Sequence, residues 1–536
     1  MKQKTQTRNP VGWGYIEEAI TPREKEAVLK NFHILFPKGQ FVQNTPLTAN
    51  QITLTPTRIE VNPTLAHIVS IAQESRLLHA VGRSFRDLAK LREVHPLKAS
   101  DAVATPTTQE DLLRVLEWAS QKNFAVIPFG GGSSVVGGVN PEGMDTFNGV
   151  ITVDLQSMNR VLDVNRTELV VHAEAGILGP ALDAALKLHK MHTRYSPQSF
   201  HHSTLGGWIA TRGAGHNATV YQKIETRVQS VEGVLANGRT FTTRPLSATS
   251  VSIDPQSYWT GSEGMLGFIT AARLRVYPLP EHRAFRAFAF PTFAHALDTA
   301  RHIAQSELFP VQVRVLDEDE NAQTARLAGV EATGEALLIL GDESTLPIVE
   351  MRLDAVGKIA LECAGKKSEG ASRLLREWVR MFFRQPYLRD MLIDHNVIVD
   401  TFETSITWAK ALEFHSRVKA VAKEALIHEC GAGHVGCRVT HIYSDGLCLY
   451  YSFYGLGKRG ALTKAWQRIK HRVSAEVIAA GGTISHHHAM GRDHRAYAHD
   501  EFSKAHRSAL HDLKKSLDPQ GIMNPGLCVS PPPAGE

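Results

Sequence analysis

Three consecutive histidines, His486, His487 and His488, lie in the run Gly481-Gly482-Thr483-Ile484-Ser485-His486-His487-His488-Ala489-Met490-Gly491-Arg492. Imidazole titrates near neutrality, so it can take or give a proton at physiological pH. Spacing argues against a metal tripod drawn from this segment alone. In a strand the middle side chain faces away from the outer two, and in a helix adjacent side chains diverge by roughly 100°. A metal held by one or two of them with ligands from elsewhere stays open, as does a plain surface loop; the favoured reading is proton handling. Tyr450 lies in Cys437-Arg438-Val439-Thr440-His441-Ile442-Tyr443-Ser444-Asp445-Gly446-Leu447-Cys448-Leu449-Tyr450-Tyr451, which reads as strand, Asp-Gly turn, strand. A phenol near an imidazole can pass a proton when its pKa is lowered; taken alone, such a tyrosine is more often a packed aromatic. Arg314 and Arg389 carry guanidinium groups suited to phosphate or carboxylate, and by themselves they read as salt bridges.

The second chemistry-bearing stretch is Pro128-Phe129-Gly130-Gly131-Gly132-Ser133-Ser134-Val135-Val136-Gly137-Gly138. Glycine lifts the Cβ restriction on backbone dihedrals, so successive amide N–H groups can converge on an anion such as a pyrophosphate. The segment beyond Gly138 is turn-like and opens no helix, as a Rossmann fingerprint would require, and no Gly-Lys-Ser/Thr marks a P-loop.

The elements that must position these groups are legible nearby. Thr108-Gln109-Glu110-Asp111 is a helix start, followed by apolar Leu112, Val115, Leu116 and Ala119. Phe124 to Ile127 then reads as a buried strand leading into the glycines. Two further strand-like runs, Ile151 to Leu155 and Glu168 to Gly176, flank a turn. Helices are expected at Phe293–Ala304, 345–356 and 409–427.

The 536 residues are enough for two or three domains, and 43% hydrophobic with 21% charged residues is ordinary for a globular enzyme. A net charge of +5 with no basic run among aromatics speaks against nucleic-acid binding. No apolar run reaches the ~18 residues of a membrane span. Five cysteines (Cys363, Cys430, Cys437, Cys448, Cys528) without a Cys-x-x-Cys pair point to a reducing compartment rather than a disulfide scaffold or structural zinc. The N-terminal residues lack a secretory h-region, and Pro531 to Glu536 carry no peroxisomal address. The expectation is a cytoplasmic protein, with peripheral membrane association left open.

Taken in order, the glycine loop, the strand pair 151–176, Ser203-Thr204-Leu205-Gly206-Gly207-Trp208-Ile209-Ala210-Thr211-Arg212 and Gly261-Ser262-Glu263-Gly264-Met265-Leu266-Gly267-Phe268-Ile269-Thr270 resemble the FAD-binding domain of vanillyl-alcohol-oxidase-type flavoproteins. The closing Leu517-Asp518-Pro519-Gln520-Gly521-Ile522-Met523-Asn524-Pro525-Gly526 resembles the segment that folds back onto that domain. Along nearly the whole chain the resemblance sharpens to alkylglycerone-phosphate synthases. It is carried further by Gly12-Trp13-Gly14-Tyr15, Val313-Arg314-Val315-Leu316-Asp317, Tyr387-Leu388-Arg389-Asp390 and Phe402-Glu403-Thr404-Ser405-Ile406-Thr407-Trp408, together with the hairpin and the triple histidine.

The resemblance implies an α+β fold of the PCMH type, with a preface (1–95), an FAD-binding domain (96–281), an α/β substrate or cap domain (282–440) and a catalytic segment closing over the flavin (441–536). It implies non-covalent FAD held by Phe129, Gly130, Gly131, Gly132, Ser133, Ser134 and Val135, by Gln198, Ser199, Phe200, His201, His202, Ser203 and Thr204, by Thr211, Arg212, Gly213 and Ala214, and by Glu263, Gly264, Met265, Leu266, Gly267, Phe268 and Ile269. It casts Tyr450 as proton acceptor and donor, makes His486, His487, His488 and Arg314 necessary for activity, and gives Arg389 a contact with the substrate. No metal is expected. The implied reaction exchanges the acyl group of acyl-dihydroxyacetone phosphate for a fatty alcohol, the flavin serving as electron sink without net redox change. The expected partners are a small-molecule or lipid substrate with an anionic head and a second copy of the chain in a homodimer. A D-lactate-type 2-hydroxyacid dehydrogenase on the same fold is the competing expectation, followed by a non-catalytic flavin module serving an electron-transfer partner, since one fold hosts many chemistries.

Overall fold

The computed structural model describes residues 6–39, 41–251, 253–327, 329, 331, 333–368 and 371–527; Cys528 and the tail 531–536 lie outside the described residues. Thr108 caps the helix Gln109–Lys122: its side chain accepts from the Asp111 amide, and the Asp111 carboxylate accepts from the Thr108 amide. This reciprocal arrangement satisfies two donors that a helix start leaves unpaired. Leu112, Val115, Leu116 and Ala119 form the buried face. Asn123 closes the helix in the left-handed region, φ 54°, and the chain turns directly into the strand Phe124–Phe129.

That strand runs parallel to Gly149–Asp154 in a four-stranded sheet completed by Ala102–Ala104 and Val69–Ser70. Its free edge takes up the end of the chain: the Val126 amide donates to the Ile522 carbonyl and the Asn524 amide to the Val126 carbonyl, both at 2.8 Å. A second, antiparallel sheet of five strands is ordered Val161–Asn165, Val170–Glu174, Gly267–Arg275, Val228–Leu235, Thr240–Thr242.

The third sheet has seven antiparallel strands, ordered Lys366–Lys367, His282–Phe290, Ala336–Ser344, Gln312–Leu316, Gly433–Ile442, Gly446–Leu456, Val397–Thr407. Helices Phe293–Ala304, Val349–Glu362 and Ala411–Cys430 share its hydrophobic core. The helix expected from residue 345 starts later, beyond Pro347, because the residue before a proline is driven out of the helical region. Alternation then assigns the faces. Val313, Val315, Cys437, Val439, Leu449 and Tyr451 enter the core, while their neighbours Arg314, Arg438, Thr440 and Tyr450 face a large cavity between this sheet and the glycine loop. The four described cysteines are free thiols. No helix among the described residues is long and apolar enough to cross a membrane.

Candidate active site

The cavity is floored by backbone. Of the residues expected to hold the cofactor, residues 129–135 and Gln198, Ser199, Ser203, Thr204, Thr211, Gly213, Ala214, Glu263, Gly264, Gly267 and Ile269 line it. The others stand behind the lining. His202 packs edge-on against Trp13 and Tyr15, Phe200 stacks on Trp208, and His201 meets Phe383. Arg212 pairs with Glu225, the Met265 carbonyl accepts from Lys514, and Leu266 and Phe268 are core residues.

The glycines are required by the protein's own packing. A Cβ on Gly131 would fall 1.8 Å from the His202 carbonyl oxygen, and one on Gly130 would fall 2.3 Å from Thr204 Oγ1; Gly132 sits at φ +66°. The loop therefore lies flush against residues 202–204, and this contact fixes its conformation. The result is a cavity whose glycine and serine loop faces a wall that includes Leu155, Tyr195 and Trp208, a donor-rich and sterically open surface that fits a dinucleotide such as FAD.

The same cavity is lined by His487, His488, His441, Tyr450, Arg438 and Arg314. The histidine triple is neither strand nor helix. It forms an irregular loop wrapped around one buried carboxylate, Glu403, which accepts from the His486, His487 and His488 amides at 2.7, 3.0 and 2.9 Å and from Ser485 Oγ at 2.8 Å. Gathering three successive amides on one anion brings the rings together: His486 to His487 is 5.2 Å between centroids, and His487 to His488 is 4.8 Å. A second buried carboxylate, Glu263, accepts from the Met490 and Gly491 amides at 2.9 Å each. Burial pushes Glu263 up to about 7. Burial also lowers the imidazoles, His486 to about 4, His487 to about 3 and His488 to about 4, with Glu403 opposing the shift. They are neutral bases near pH 7.

The donor atoms of His486, His487, His441 and Cys448 lie within 4.8 Å of one another. His486 Nε2 shares a hydrogen bond with the Tyr443 hydroxyl at 2.7 Å, its Nδ1 meets His487 Nδ1 at 2.9 Å, and His441 Nε2 meets the Gly215 carbonyl at 3.2 Å.

Tyr450 is buried, with its ring 5.9 Å from His487 at 20° and 5.5 Å from His488. Its hydroxyl donates to Thr401 Oγ1 at 3.0 Å. Burial raises the phenol, and the Arg438 guanidinium, 4.2 Å from the ring centroid, works against that rise. Arg438 is itself fixed by Glu320 at 2.6 Å. Arg314 gives Nη2 to the His216 carbonyl, while its Nε and Nη1 are buried without a hydrogen-bond partner. Burial brings it down to about 9. Arg389 does not reach the lining. It stands 5.8 Å from the ring of Trp13, which does line the cavity.

Sequence reasoning gave no role to Glu403, Arg438, His441 or Trp13, although all four fall inside quoted motifs. Alternation along the hairpin strands would have put Arg438 on Tyr450's side; Glu403 had no local signal.

Residues 100–244 match the family model of the FAD binding domain, and residues 279–527 match that of the FAD linked oxidases' C-terminal domain. An alkyldihydroxyacetonephosphate synthase of Trypanosoma brucei brucei is 30% identical over 486 residues, 86% of this chain and 78% of that protein. A solved alkyldihydroxyacetonephosphate synthase structure superposes with a TM-score of 0.81 at 26% identity, covering 96% of this chain and 98% of its own. p-Cresol methylhydroxylase, at 14% identity and a TM-score of 0.67 over 94% of this chain and 97% of its own, shares the fold. With FAD-binding and FAD-oxidase modules in this order and a synthase relative alignable across most of both chains, the chain belongs to the FAD-dependent alkyldihydroxyacetonephosphate synthase family.

Proposed function

We propose that this enzyme exchanges the acyl group of acyl-dihydroxyacetone phosphate for a fatty alcohol, with no net oxidation. The observation that carries the reading is that a buried phenol, neutral imidazoles and an arginine with two unpartnered nitrogens share the wall of the cavity that the glycine loop lines. An unpaired buried guanidinium is costly unless an anion completes it, so Arg314 suits the substrate's phosphate. Tyr450 and His487 or His488 face the same space and take the proton lost from the substrate carbon that bears the acyl oxygen. They return it once the alcohol oxygen has replaced the carboxylate. Burial keeps the imidazoles uncharged, so their lone pairs are free at neutral pH. FAD, held non-covalently by the loop 129–135 and its neighbours in the lining, would supply the electron sink that the exchange needs.

Product analysis tests this. Purified protein given acyl-dihydroxyacetone phosphate and a long-chain alcohol should release free fatty acid and form the ether in equal amounts. Fatty acid without ether would mean hydrolysis, and neither product would remove the reading.

A further inference from the structure

We propose that Glu403 is the positioning residue of the histidine cluster and the counter-charge for the proton it receives; this rests on the reading that the histidines handle the substrate's proton. The Glu403 residue is 3% exposed. Its hydrogen bonds all come from neutral donors: three backbone amides, the Ser485 hydroxyl and, at 3.9 Å, the Cys448 thiol. Among the described residues no lysine or arginine makes an ion pair with it; the groups within ion-pair range are His487 Nδ1 at 3.6 Å and His488 Nδ1 at 3.7 Å. A buried carboxylate without a cation is expensive. Here the pairing is completed when one of these imidazoles is protonated.

Glu403 also pairs with Tyr450 across the strands Val397–Thr407 and Gly446–Leu456, and Arg438 pairs with Tyr450 from the other side. Directly opposed residues share a face of the sheet. The phenol is thus flanked by a fixed cation and a fixed anion. When the substrate C–H bond breaks, its electron pair stays on carbon and the proton passes by way of the Tyr450 hydroxyl, which gives up its own, to an imidazole nitrogen; imidazolium and carboxylate then form an ion pair. Reprotonating the product carbon restores the neutral ring. The other charged groups acting on the cluster are Lys223, Arg314 and Lys470, which oppose a positive charge on it, and Asp400, which favours one. His441, Cys448 and Tyr443 complete the surroundings, and burial holds each of them toward its neutral form.

The test uses the FAD-loaded enzyme with Glu403→Gln and Glu403→Asp. Glu403→Gln should keep its flavin and lose turnover by on the order of tenfold or more. The acid limb of its pH–rate profile should move down by about one pH unit, because an imidazole without its anion holds a proton less tightly. Glu403→Asp keeps the charge, so its limb should stay in place even if the rate falls. Wild-type turnover in Glu403→Gln, or a slower Glu403→Gln with an unmoved limb, would reduce Glu403 to a loop anchor and overturn the proposal. If Glu403→Gln cannot hold flavin, Glu403→Asp decides: a limb shifted by a unit with flavin bound contradicts the counter-charge role. A stoichiometric metal in the purified protein, lost in Cys448→Ser, would overturn it too, since the rings would then be ligands. His487→Asn and His488→Asn at full activity would instead show that the proton reading itself had failed.

Discussion

The Arg438 guanidinium carbon lies 4.2 Å from the centroid of the Tyr450 ring, and the two residues are directly opposed in the hairpin ladder. A cation over an aromatic face is attracted to it and favours a phenolate over a phenol. The neighbouring Tyr451 points the other way, stacked on Phe402 at 4.6 Å and 9° in the core. Tyr450→Phe should therefore fold, bind FAD and lose turnover by roughly 100-fold. Tyr451→Phe removes a hydroxyl 3.4 Å from His415 Nδ1 and should keep most of its activity. Steady-state kinetics on flavin-matched samples compare them; equal losses would take the proton away from Tyr450.

Arg314→Lys keeps a charge but loses the fork. With Nε and Nη1 of Arg314 as the nitrogens unpartnered in the cavity wall, apparent affinity for the phosphorylated substrate should fall about tenfold, ~1.4 kcal/mol. Arg389→Lys acts through Trp13 and should cost less. A larger loss at Arg389 than at Arg314 would mean that the phosphate lies on the Trp13 side.

Gly131→Ala should yield protein without flavin colour, because its Cβ would meet the His202 carbonyl at 1.8 Å and lift the loop off its support. Flavin content per chain, read by absorbance, checks it; full occupancy would show that the loop is not the cradle. In the unaltered protein, acid precipitation should leave the yellow colour in the supernatant, and a yellow pellet would mean a covalent flavin.

Stability should fall on acidification. His192, His202, His415 and His487 are lowered to about 3, and His486, His488 and His494 to about 4, chiefly by burial. Between these values and the unfolded value near 6.5 the unfolded chain binds the extra protons, so this contribution is present above pH ~6.5 and is lost as pH drops. Burial raises Glu263 and Asp493 to about 7 and Asp317 to about 6, which has the opposite sign in the same window. The histidines outnumber these acids, so the melting temperature should decrease from pH 7 to pH 4.5. A flat or rising melting temperature would mean that the imidazoles are charged in the fold.

The parts of this molecule governed by local rules could be read from the sequence. Thr108 with Asp111 set a helix start, the glycines marked a loop that packs on residues 202–204 and lines the cavity, and Asp445-Gly446 marked the turn from which the second hairpin strand opens. Alternation separated Tyr450 from Tyr451. The histidine loop was different. Considered as strand or helix, three adjacent rings diverge, yet here they cluster, because a carboxylate more than 80 residues earlier collects their amides. Such long-range satisfaction leaves no periodic trace. The same holds for Arg389, whose motif was visible while its place beside Trp13, outside the cavity lining, was not.

The central claim is a flavin that turns substrate over without keeping its electrons, and an anaerobic spectrum tests it most directly. Yellow protein mixed with acyl-dihydroxyacetone phosphate in the absence of oxygen should release fatty acid while the flavin absorbance recovers fully, and D-lactate or longer 2-hydroxyacids should leave it unchanged. Full and lasting bleaching by a 2-hydroxyacid, with no fatty acid released from the acylated substrate, would contradict the account and make the protein a dehydrogenase.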